Sequence, residues 1–152
     1  EWINELDVKR YKIASVTAFN EKTLCEKILS FNKPTIISTG KYDKNIFPFG
    51  HDKNIKYLYC VSEYPTPLDH PKVKSLPKSF NKDSYFGYSD HTIGIAVALA
   101  AFHRGSQILE KHFTLNKNLQ QESQLAHLCS FTADTLTDFR NIIDESKIFL
   151  CK

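Results

Sequence analysis

Methionine is absent from the 152 residues, the first position included, as expected of a piece of a longer reading frame or of a processed chain. Long apolar runs are missing as well. The most apolar stretch, Ile93–Phe102, falls short of the roughly 20 residues that span a bilayer, and no signal-peptide pattern opens the chain. No membrane partner is therefore expected. An excess of one charge is also lacking: 20 Lys and Arg against 17 Asp and Glu leave a net charge of +3. The basic residues are scattered, which argues against a nucleic-acid partner, while the mild positive balance suits an anionic substrate. Cysteine is confined to positions 25, 60, 129 and 151, with no C-x-x-C pair. That spacing argues against a zinc knuckle or ribbon. Free thiols in a reducing cytoplasm are the expectation.

What is present is enough for one globular domain, with 41% hydrophobic and 24% charged residues. Five short apolar runs recur: Tyr11–Ser15, Thr35–Gly40, Tyr57–Ser62, Tyr85–Ser89 and Gln107–His112. Each is rich in Ile, Val or aromatic residues, the pattern of strands buried on both faces. Helical spacing predicts helices over Glu21–Phe31, with Asn20 as N-cap, over Thr92–Arg104, and over Thr132–Leu150. Pro48 and Gly50 predict an irregular connection after Gly40, and Pro65–Lys82 is expected to be loop with one short helical turn. Strands alternating with helices predict an α/β fold with a parallel sheet, either open and doubly wound or part of a barrel.

Parallel α/β folds bind ligands at the C-terminal ends of their strands. Those ends supply Lys12 and Ser15, Ser38, Ser62 and Tyr64, Ser89, Asp90 and His91, then Glu110, Lys111 and His112. His91 and His112 follow consecutive strands, which lie about 5 Å apart. Two such imidazoles can share a divalent ion with open positions for substrate oxygens, or both can be polar loop residues. Lys12 with Ser15 and Ser38 can bind a phosphate through charge and hydroxyl donors. The alternative is a snorkelling lysine beside two ordinary turn serines.

The strings YKIAS, PTIISTG, CVSEYPTP, GYSDHTIG and LEKHFTL, in this order from Tyr11 onward, resemble the N-acetylneuraminate (sialic acid) synthase family, NeuB-like enzymes that make nonulosonic acids. The resemblance implies a TIM (β/α)8 barrel of which residues 1–152 form strands 4 to 8. The first three strand–helix units and a C-terminal antifreeze-like domain then lie outside this sequence. It implies condensation of phosphoenolpyruvate with an N-acetylmannosamine-like aldehyde, assisted by Mn2+ or a similar metal, in a full-length homodimer whose partner closes over the sugar. It places phosphoenolpyruvate on Lys12, Ser15, Ser38 and Ser89, the metal on His91 and His112, and the amino sugar near Tyr64, Ser62 and His127. Glu110 is expected either to orient a ligand histidine or to be a plain strand-end charge.

The sequence departs from the family at two places within its span. Thr17 stands where the family has an acid thought to move a proton, and threonine is no base at neutral pH. The family's Gly-Pro-Asp-His loop is altered in Asn118–Ser130, where His127 matches the histidine and Ala126 falls at the aspartate, with Glu122 as a substitute only if the loop folds differently. Three expectations follow: a synthase fragment inactive alone, a non-catalytic degenerate half-barrel, or a sugar-phosphate-binding domain.

Overall fold

The computed structural model describes residues 5–119 and 125–150. Five strands, β1 (Tyr11–Ile13), β2 (Thr35–Ser38), β3 (Ile55–Cys60), β4 (Gly87–Asp90) and β5 (Ile108–Lys111), form one parallel sheet in the order β1-β2-β3-β4-β5. Parallel strands in sequence order, each reached by a crossover, curl the sheet into a half-barrel. The curl is tight enough for side chains of the first and last strands to touch: Lys12 Nζ lies 3.2 Å from Glu110 Oε2.

Side chains alternate between the two faces of each strand. Ile13, Ile37, Tyr57, Tyr59 and Tyr88 point outward and join Cys25, Val97 and Ala101 in the main core. Cys25 comes from helix α2 (Lys22–Leu29), and Val97 and Ala101 come from α4 (Ala96–His103). Three outward tyrosines also use their polar tips, as buried phenols must. Tyr57 donates to Gly50 O (3.0 Å) and accepts from Phe49 N, Tyr85 accepts from Asn45 N, and Tyr59 donates to Lys72 O at 2.7 Å. These bonds pin the irregular connection after β2 and the short helix α3 (Pro71–Lys74), which carry no long helix of their own. The C-terminal helix α6 (Ala133–Leu150) lays Phe139 and Ile143 on Phe131 and Ala98, whereas Leu136 is 45% exposed.

The structure corrects several boundaries. Ser15 does not end a strand but opens a helix, α1 (Ser15–Asn20), and Asn20 closes that helix instead of capping the next. The fourth helix begins at Ala96 rather than Thr92. Thr92 is bridged to Thr66, and Gly94 takes φ +83°, a left-handed conformation that cannot continue a right-handed helix. Thr132 stands outside α6 and its hydroxyl accepts from Thr135 N, so it caps the helix. Among the described residues, no helix is long and apolar enough to cross a membrane.

Candidate active site

The inward face of the sheet carries the polar residues. Cys60 pairs in register with Ser89, and Ser89 with Glu110. Two residues further along their strands, His91 and His112 follow Ser89 and Glu110 on the same face by the period of two. Gly87 makes this packing possible. A Cβ there would lie 2.8 Å from Leu58 Cδ2 and 2.9 Å from Ile108 Cβ, so any side chain would wedge β4 from its neighbours.

The two imidazoles face each other with ring centroids 5.4 Å apart. Tyr64 lies tilted against His91, with ring centroids 4.0 Å apart, and meets His112 edge-on at 5.3 Å. His91 is buried, and its Nδ1 donates to Val61 O at 2.6 Å. In the neutral ring this fixes the tautomer and leaves Nε2 with a free lone pair. Burial pushes the His91 pKa down to about 4, ahead of the Val61 hydrogen bond, which pushes it up. His112 is exposed, yet desolvation lowers it too, against the opposing pull of Glu110. Two neutral, facing imidazoles suit a shared divalent cation. Among the described residues, no group of three or more His, Cys, Asp or Glu gathers around one point, so these residues offer such an ion the two imidazoles.

Beside the histidines lies a cradle of one ammonium, one carboxylate and several hydroxyls. Lys12 projects from β1 and pairs with Glu110 Oε2, while Ser89 donates to Glu110 Oε1 at 2.8 Å. Glu110 therefore contacts Lys12 and Ser89, not a histidine. Ser15 is buried at the start of α1, and its Oγ accepts from Lys41 N at 2.7 Å, tying the end of β1 to the loop after β2. Ser38 is 2% exposed and its Oγ is buried without a hydrogen-bond partner. An orphaned buried hydroxyl costs free energy unless something binds it. Ser62 packs onto Gly40, where a Cβ would collide with Ser62 Oγ.

His127, on α5 (Ala126–Cys129), is half-buried and its Nδ1 lies 2.9 Å from Thr114 Oγ1. It is near enough to His112 to lower that residue's pKa. Thr17 sits half-buried on α1, and Ala126 begins α5. Glu122 and Cys151 lie outside the described residues. Sequence reasoning missed Cys60, whose thiol is 3.8 Å from His91 Nδ1 and is pushed up to about 11 by burial. Its in-register pairing with Ser89 was the available signal. Asp90 and Lys111 stood among the candidate strand-end groups, but both turn away from the cleft into a buried pair at 2.6 Å.

Half of a parallel (β/α)8 barrel with its polar groups at the strand C-termini defines a barrel-type domain whose candidate site lies at the strand ends. Residues 1–151 match the NeuB family, and the chain belongs to it. It is 39% identical to the N,N'-diacetyllegionaminic acid synthase of Campylobacter jejuni over 83% of this chain and 40% of that protein. It is 32% identical to that organism's pseudaminic acid synthase, over 95% of this chain and 42% of that protein. Human N-acetylneuraminate-9-phosphate synthase is 32% identical over 84% of this chain and 38% of its own length. The chain thus spans about two fifths of the curated relatives it matches. Among solved structures, the N-acetylneuraminic acid synthetase of Leptospira borgpetersenii, crystallised with citrate, superposes with a TM-score of 0.73 at 25% identity. The match covers 98% of this chain and 53% of that one.

Proposed function

We propose that this chain is the phosphoenolpyruvate- and metal-binding half of a nonulosonic acid synthase barrel. One observation carries the proposal: the facing pair His91 and His112 stands beside the Lys12–Glu110–Ser89 cradle on one concave face. Lys12, Ser15, Ser38 and Ser89 hold the phosphate and carboxylate of phosphoenolpyruvate, the orphaned Ser38 hydroxyl gaining a partner. Glu110 keeps the Lys12 ammonium over the cleft. His91 and His112 present neutral nitrogens that would hold a divalent ion such as Mn2+, and that ion would supply Lewis acidity. Tyr64, with Ser62 and His127 at the rim, borders the amino sugar.

In the reaction, the methylene carbon of phosphoenolpyruvate forms a bond to the aldehyde carbon. Water adds to the former enol carbon, and the bond from that carbon to the bridging oxygen breaks to release phosphate. Fixing two reactants in this geometry is the main service such a cleft performs. Thr17, in place of a family acid, cannot serve as a base at neutral pH. The chain alone is therefore expected to bind but not to turn over. Formation of a nonulosonic acid from phosphoenolpyruvate and N-acetylmannosamine by this chain by itself would overturn that expectation. Calorimetric titration tests the binding: Mn2+ affinity should collapse in His91→Ala, and phosphoenolpyruvate affinity should fall in Lys12→Met. Equal affinities in wild type and variants would overturn both assignments, the metal pair and the anion contacts.

A further inference from the structure

Asp90 and Lys111 occupy register-paired positions at the ends of β4 and β5. Their side chains face away from the cleft and are 1% and 6% exposed. Each precedes one of the facing histidines, so the backbone that carries His91 and the backbone that carries His112 both start from this buried pair. The contacts extend past the pair itself. Asp90 Oδ2 takes Lys111 Nζ at 2.6 Å. Asp90 Oδ1 accepts from Thr92 N at 2.9 Å, Thr92 Oγ1 at 2.8 Å and Tyr88 OH at 3.2 Å. Lys111 Nζ also donates to Thr92 O at 2.7 Å and lies 5.1 Å from the Phe131 ring centroid. Phe131 N in turn donates to His112 O at 2.8 Å. His91 is thus bracketed by two pinned residues, Asp90 and Thr92, and a single ammonium ties that bracket to the strand bearing His112.

We propose that the Asp90–Lys111 pair is a positioning clamp that sets the spacing of His91 and His112, and not only a filler of the core. The strand ladder reaches no further than Asp90↔Lys111, so the two histidines lie beyond the last paired residues. There, Lys111 bonded to both Asp90 and Thr92 is the cross-link between the two chain segments. A buried ion pair is weak support for stability in itself, because desolvation offsets its attraction. Its retention beneath two ligand-type side chains fits the outer-contact role that orients metal ligands.

The inference rests on the proposed metal role of the histidines, but one of its tests does not. In the metal-free chain, nuclear Overhauser contacts between the His91 and His112 ring protons are expected in wild type. They should weaken or vanish in Lys111→Met, which keeps length and removes the cross-link. Unchanged contacts in a folded Lys111→Met chain overturn the clamp whatever the histidines bind. With Mn2+ added, Lys111→Met should bind about 10- to 100-fold more weakly per folded molecule, while a purely structural pair would lower Tm and leave that affinity unchanged. Should Lys111→Met not fold, the neutral pair Asp90→Asn with Lys111→Met removes the buried charges together and is read in the same two ways. Loss of Mn2+ binding in His91→Ala with full retention in both clamp variants sinks this inference alone. Retention in His91→Ala sinks the metal assignment instead, leaving the ring-contact experiment to decide the clamp.

Discussion

The two faces of the one sheet differ in what their side chains are held by. On the outward face, Ile13, Ile37, Tyr57, Tyr59 and Tyr88 are closed in by helices, and the tips of Tyr57 and Tyr59 pin connecting segments while that of Tyr88 meets Asp90. On the inward face, Lys12 is held by Glu110 and the Ile13 carbonyl, Ser89 by Glu110, and the Ser38 hydroxyl has no partner. Neighbouring residues on a strand therefore do opposite work, and a step of one position moves from packing to chemistry. Substitutions on the two faces should separate cleanly into those that unfold the chain and those that weaken ligand binding.

The widest separation is expected from Ile37→Ala. Ile37 is fully buried in the main core, so truncation should lower unfolding free energy by about 2–5 kcal/mol in urea, while molecules still folded keep their anion affinity. Acid should break the contrast, because His91 belongs to the inward face yet is buried like a core residue. Its folded pKa, about 4, lies below the ordinary 6.5. The unfolded chain therefore takes up a proton that the folded chain refuses. Stability is full above pH 6.5 and declines as the pH falls toward 4, by on the order of 3 kcal/mol. Chemical denaturation of the metal-free chain should show that slope in wild type and a flatter one in His91→Asn. Lys12→Met comes next: a drop of at least about tenfold in phosphoenolpyruvate affinity, about 1.4 kcal/mol, with stability nearly unchanged. The smallest effect is that of Glu110→Gln on stability, under about 1 kcal/mol, since the side chains of its pair with Lys12 are 32% and 40% exposed.

The period of two made much of this legible before any coordinates. Alternation along GYSDH and ILEKH puts Ser89 with His91 and Glu110 with His112, and the facing imidazoles follow from adjacent parallel strands. The same alternation consigns Asp90 and Lys111 to the other face, though a list of polar strand-end residues treats all of them alike. Other features had no local signal. The Lys12–Glu110 contact joins the two outermost strands, and only the curl of the whole sheet brings them together. The helix opened by Ser15 is hidden because SVTAFN mixes β-branched and aromatic residues that favour strands. The late start of the helix after β4 depends on a left-handed Gly94 and on Thr92 hydrogen bonds that reach back to Asp90. Propensity reads neither.

Cys60 sits against the ring of His91 with its thiol held well above the range where sulfur ionises at neutral pH. A protonated sulfur is a slow partner for peroxides and alkylating reagents. Burial thus keeps the Cys60 thiol chemically quiet beside the imidazole, and unfolding should open it to alkylation.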